Sequence, residues 1–91
     1  MNKKYTLFIG SNNETGLLEQ DKIIDTVKTF VDGFTFSAVK GYWKAKQEDT
    51  LKVEISTPKA YEAVLSLCRE LKSNLKQDSI MLETSGSVDF V

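Results

Sequence analysis

An α+β sandwich, with two helices on one face of an antiparallel sheet, is predicted for this chain by three observations. Patterns run in the order strand, amphipathic helix, two strands, amphipathic helix, strand, strand, with almost nothing left over. No Pro/Gly/Ser-rich linker, repeat or low-complexity stretch interrupts them. A length of 91 residues at 41% hydrophobic supports one modest core, so residues 1–91 read as a single domain.

Tyr5-Thr6-Leu7-Phe8-Ile9 is rich in β-formers, and Gly10-Ser11-Asn12-Asn13-Glu14-Thr15-Gly16 behind it is the longest run of turn-forming residues, giving a strand and a flexible loop. Ile23, Ile24, Val27, Phe30 and Val31 recur at helical spacing, predicting a helix from Leu18 to Val31 that ends at Asp32-Gly33 with glycine as a left-handed cap. Phe34 to Ala45 and Leu51 to Ser56 read as a hairpin with Gln47-Glu48-Asp49 at its tip; Leu51, Val53 and Ile55 alternate with Lys52 and Glu54, burying one face. In the first arm Phe34, Phe36 and Ala38 would place Lys40 on that same face, and a bulge at Lys40-Gly41 is the simplest repair. Thr57-Pro58 is expected to cap a second helix with a buried stripe of Tyr61, Val64, Leu65, Cys68, Leu71 and Leu75. Ser79 to Glu83 forms the next strand, and Ser85-Gly86 turns it back into Ser87 to Val91. The whole is the ferredoxin-like split βαβ arrangement, βαββαβ, with a C-terminal β-hairpin extension.

Composition removes several kinds of chemistry. The chain has no histidine, so the commonest general base and neutral metal ligand are missing, along with the usual partner of a nucleophilic serine or cysteine. No metal site, no catalytic residue and no cofactor is therefore expected, and the chain is read as a protein that binds rather than converts. Carboxylate, lysine or tyrosine chemistry is what an enzyme here would have left. The single cysteine, Cys68, closes no internal disulfide and reads as a small buried hydrophobe. A net charge of −1 gives no general attraction to nucleic acid or to an anionic membrane. Leu7-Phe8-Ile9-Gly10 resembles the first-strand motif of the RNA-recognition domain, but Leu51 to Ile55 lacks the aromatic residues that stack bases, so sequence-specific nucleic-acid binding is not expected. Without an apolar leader or a run of ~18 apolar residues, no membrane association is expected and a cytoplasmic location is.

With helices on one face, the other face of the sheet is expected to be bare, carrying Phe8, Val39 and Met81, and self-association into a homodimer or higher oligomer is the predicted cover. Two constellations point to a ligand. The loop after the first strand can offer Ser11, Asn12 and Asn13 as hydrogen-bonding groups. The first hairpin concentrates Lys40, Tyr42, Trp43, Lys44, Lys46 and Lys52, an indole and a phenol beside ammonium groups, which suits stacking and charge pairing with an anionic, nucleotide-like molecule. Glu54 and Glu83 stand mid-strand and are candidates for paired carboxylates, although solvated positions on an antiparallel face are the commoner outcome.

Tyr5 to Gly10, Asp32-Gly33-Phe34-Thr35, the pair Gly41 and Trp43, Gln77-Asp78-Ser79-Ile80 and the closing Val88-Asp89-Phe90 together resemble a family of small uncharacterised bacterial domains. That resemblance implies a ferredoxin-like fold and no established activity. The expected function is a non-catalytic small-ligand-binding domain that senses or sequesters an anionic nucleotide-like molecule through Ser11, Asn12, Asn13, Lys40, Tyr42, Trp43 and Lys44. Its alternatives are a protein-interaction or oligomeric scaffold module, and a dimeric ferredoxin-like enzyme using carboxylate or tyrosine chemistry.

Overall fold

A computed structural model of the chain describes residues 2–91. The elements follow as β1 (Lys3–Ile9), α1 (Gln20–Lys28), β2 (Phe34–Trp43), β3 (Lys46–Thr57), α2 (Tyr61–Asn74), β4 (Met81–Thr84) and β5 (Ser87–Phe90). β1 lies at the centre of a five-stranded antiparallel sheet of order β2-β3-β1-β4-β5, the ferredoxin-like order with β5 added beside β4.

Period-two alternation decides which face is core. Tyr5, Leu7 and Ile9 of β1 stand opposite Ile55, Val53 and Leu51 of β3, and all six are fully buried beneath the helices. α1 contributes Ile23 and Val27, and α2 contributes Val64, Leu67, Cys68 and Leu71, with Leu75 just beyond its end. Leu67 widens the expected α2 stripe, while Tyr61 and Leu65 pack at its margin. Burial pushes the Cys68 thiol up to about 12, so it stays protonated and behaves as a small apolar group.

Local signals misplaced several boundaries. α1 stops at Lys28 with Thr29 as its C-cap, and one looser turn through Phe30 and Val31 follows, so Gly33 caps nothing; the left-handed glycines are Gly16 and Gly86. α2 starts at Tyr61 with Ala60 at its N-cap, and Thr57 instead uses its Oγ1 to accept the Lys59 N–H at 3.2 Å. The β2–β3 hairpin turns at Lys44-Ala45, both with positive φ (52° and 64°), as a two-residue primed turn requires. Gln47, Glu48 and Asp49 are therefore strand residues paired with Tyr42, Gly41 and Lys40.

The β2–β3 register runs unbroken from Phe34↔Ile55 to Trp43↔Lys46, so no bulge occurs at Lys40-Gly41. Lys40 does share a face with Ala38, but β2 extends past the helices there, and Lys40 is exposed and ion-paired with Asp49. Gly41 is needed for a close approach instead: a Cβ at this position would lie 2.8 Å from Thr50 Oγ1.

Replacing Leu71 by alanine should lower stability by ~2–5 kcal/mol, because it empties a fully buried site, whereas Lys72→Ala should change it by less than ~0.5 kcal/mol. Urea denaturation checks this, and equal shifts for the two variants would mean that α2 presents a different stripe to the core.

Candidate functional site

Open-face residues follow from the same register. Phe8 stands opposite both Lys52 and Met81, and Met81 stands opposite Phe90, so these residues form one row across the sheet. Val39, Gly41 and Trp43 of β2 share that face with Thr50, Glu48 and Lys46 of β3. In a flat sheet β2 and β5, four strand spacings apart, would be separated by roughly 19 Å. Yet the rings of Trp43 and Phe90 lie 5.9 Å apart, centroid to centroid. The sheet is coiled, and the outer half of the β2–β3 hairpin bends over the open face until its tryptophan meets the last strand.

The bend encloses a cleft of about 450 Å³ lined by Phe8, Val39, Tyr42, Trp43, Met81 and Phe90, with Gly10, Gly41, Glu48, Thr50, Gln77 and Asp78 among its polar or backbone groups. This size is ordinary for a small-molecule site. Phe8, Val39 and Met81 are half-buried beneath the bent hairpin, so the face expected to be bare is partly roofed by the chain itself. Trp43 remains 41% exposed and Phe90 59%, leaving ring surface accessible.

Glu48 is the acidic group most tightly built into this cleft. It is half-buried, its carboxylate accepts the Ser11 N–H at 3.2 Å, and it lies so close over Gly10 that a Cβ there would come within 2.5 Å of Oε1. A glycine at the end of β1 is thus what lets the carboxylate sit against the sheet. Gln77 fastens the opposite wall by donating from Nε2 to the carbonyls of Gly10 and Ser11.

The loop after β1 is held by its own side chains. Ser11 Oγ donates to the Asp49 carbonyl at 3.0 Å; Asn12 Nδ2 donates to Glu19 Oε1 at 2.6 Å, while its Oδ1 accepts the Glu14 and Thr15 N–H groups. Ser11 and Asn12 are largely buried, and these bonds occupy the groups expected to face a ligand. A second, more open cleft of about 760 Å³ adjoins the first and is lined by Ser11, Asn12, Lys44 and Lys46 among others. Asn13, Lys40 and Trp43 line both clefts, and Tyr42 lines the first, so the seven residues singled out from sequence all border one of two joined cavities.

Sequence reasoning missed Glu48, Gln77, Asp78, Thr50 and Phe90 as site residues. The signal for Glu48 was the alternation Lys46, Glu48, Thr50, Lys52, Glu54, a continuous polar face that places Glu48 on a strand rather than in a turn. Glu54 and Glu83 flank Thr6 in register but do not act as a carboxylate pair: Glu54 is bound by Lys4 at 3.1 Å and by Lys52 at 3.5 Å, and the Lys4 contact lowers its pKa. Among the described residues no group of three or more potential metal ligands is gathered. No described helix is long and apolar enough to cross a membrane.

No family model and no curated protein matches the chain. Solved structures do. A phage SAM lyase in complex with S-methyl-5′-thioadenosine superposes with a TM-score of 0.78 at 18% identity, covering 99% of this chain and 88% of that one. A phage SAM lyase in the apo state gives 0.72 at 19% identity, covering 97% and 86%. A DUF3240 family protein from Shewanella baltica OS155 gives 0.59 at 21% identity, covering 92% and 89%. At these identities the likeness is one of fold, and with the third structure it bears out the resemblance to uncharacterised bacterial domains at that level. The expectation that the chain is not an enzyme is overturned: the fold that it shares over nearly its whole length carries lyase activity in the phage proteins. Lack of histidine excluded only some kinds of catalysis.

Glu19 supplies a pH test of the loop. The hydrogen bond from Asn12, and after it the one from Lys22, hold its pKa below the ordinary 4.5. A lowered folded value means that the stabilisation is present above the unfolded pKa and lost as pH falls through the folded one. The protection of the amides in residues 12–17, taken against the intrinsic exchange rate at each pH, should therefore fall on acidification through and below the ordinary carboxylate range. Asn12→Ala should already show low protection near neutral pH and little further change in protection.

Proposed function

We propose that this chain is a lyase that binds S-adenosylmethionine in the aromatic cleft and releases S-methyl-5′-thioadenosine. The observation that carries the reading is the cleft itself: aromatic rings and a fixed carboxylate, Glu48, on a fold shared with a lyase captured with that thioadenosine. An adenosyl sulfonium combines a planar base with a positive charge. Trp43 and Phe90 offer ring surfaces on which the base can stack, whereas Tyr42 alternates to the opposite face of β2, and Glu48, with the ring faces, attracts the sulfonium. The anionic, nucleotide-like ligand expected from sequence gives way in this reading to an adenosyl cation, since Lys40 is neutralised by Asp49 while Glu48 lines the cleft.

The reaction asks little of the protein. An oxygen of the substrate's own carboxylate forms a bond to the γ-carbon as the bond from that carbon to sulfur breaks, and the bonding pair passes to sulfur. The products are a neutral thioether and a five-membered lactone, with no water consumed and no proton moved. A chain without histidine can support this step by holding the tail curled and excluding water, because the nucleophile belongs to the substrate and the leaving group is already activated by its charge.

Incubation of the protein with S-adenosylmethionine, followed by mass spectrometry, should show the thioadenosine and the lactone accumulating in equal amounts. Glu48→Gln should raise KM for S-adenosylmethionine by about fivefold with little loss of kcat, because the sulfonium charge that the carboxylate attracts is lost as the carbon–sulfur bond breaks. Trp43→Ala should weaken substrate binding by ~1–3 kcal/mol, the worth of one stacked base. Substrate that decays no faster than in buffer alone would overturn the proposal.

A further inference from the structure

The aromatic cleft opens into the polar one across a seam formed by Asn13, Lys40, Trp43, Glu48 and Asp78. Charges of both signs line the polar cleft, and they differ in how far they are engaged. Lys40 is held by Asp49, whereas Lys44, Lys46 and Asp78 take part in no ion pair among the described residues. They also come from opposite walls. Lys44 lies in the turn of the β2–β3 hairpin, and Lys46 is the cross-strand partner of Trp43, next to the ring; Asp78 belongs to the segment that leads from α2 to β4.

A cavity with unengaged cations on one wall and an unengaged carboxylate on the other selects a ligand with the complementary pair of charges, a zwitterion. We infer that the polar cleft is the subsite for the α-amino-acid end of the adenosyl ligand, with Lys44 and Lys46 facing its carboxylate and Asp78 facing its ammonium. This assignment rests on the aromatic cleft being an adenosyl site. One carboxylate oxygen on the lysine wall leaves the other free to reach the γ-carbon. A nucleoside phosphate placed the same way would bring its negative charge up to Glu48 and Asp78, and an adenosyl amine without a carboxylate would leave the lysines unpaired, so the charge pattern discriminates against both.

Calorimetric titration with two neutral thioethers separates the subsite from the adenosyl site. S-methyl-5′-thioadenosine lacks the amino-acid end, S-adenosylhomocysteine carries it, and neither has the sulfonium that cleavage needs. The native protein should bind the second roughly tenfold more tightly, the worth of a charged hydrogen-bonded contact. Asp78→Asn and the double variant Lys44→Ala/Lys46→Ala should each weaken S-adenosylhomocysteine by about fivefold, the upper range for a partly exposed ion pair, and in the double variant, whose lysines border only the polar cleft, the thioadenosine affinity should stay unchanged and report an intact fold. On the native protein, the analogue of S-adenosylhomocysteine without its amino group should show the same loss with no substitution made. Equal affinity of the native protein for the two thioethers would overturn the subsite, as would a preference that survives both variants or the loss of the amino group. Failure of the thioadenosine itself to bind would overturn the adenosyl reading, and the subsite with it.

Discussion

The contact between Trp43 and Phe90 is the constraint on which the site depends. These rings come from the two edge strands of the sheet, β2 and β5, and meet only because the β2–β3 hairpin bends over the open face. Without that bend Phe8, Val39 and Met81 would form a flat apolar patch, and Glu48 would be one more carboxylate on a solvated strand. With it, the same residues become the floor and wall of a cleft. The bend in turn needs local permissions: a turn at Lys44-Ala45 with positive φ, a glycine at position 41 beside Thr50, and a glycine at position 10 beneath Glu48.

In the proposed function, a chain of 91 residues carries chemistry without the usual equipment. The core lies against the helix-covered face of the sheet, with fifteen of the described hydrophobic residues buried between sheet and helices. The opposite face is then free of the demand to be apolar and can hold a mixed lining of rings, lysines and carboxylates. Catalysis by placement suits such a surface, because it uses charge and shape rather than a tuned proton donor. Cys68, Tyr5 and Tyr61 play no part in it: the thiol is sealed in the core, the Tyr5 ring lies in the core layer beneath the helices, and the Tyr61 hydroxyl donates to Asp89 on the helix side, a bond that pushes its pKa up to about 12.

Most of the fold was legible because it is written in short-range patterns. The α2 stripe of Val64, Cys68, Leu71 and Leu75 and the alternation of Leu51, Val53 and Ile55 each point to one face, and the structure buries them all. The hairpin tip was not legible, because Lys44-Ala45 contains none of the residues that usually mark a primed turn. That single miss moved Glu48 into an imagined loop and hid it from the site. The pairing of Trp43 with Phe90 was beyond reach for another reason: register is decided between neighbouring strands, whereas the bend that unites the two edges is a property of the whole sheet. Trp43, Tyr42 and Lys40 could be singled out from composition and spacing; what they would face could not.

The proposed lyase depends on where an adenosyl ligand lies, and nuclear Overhauser contacts in the complex with S-methyl-5′-thioadenosine test that most directly. The adenine protons should show contacts to the Trp43 indole and the Phe90 ring together, because the two share one cleft. Contacts confined to residues outside it, such as Phe36 on the β2 edge or Phe30 beyond α1, or the absence of any complex, would contradict an adenosyl site in the cleft.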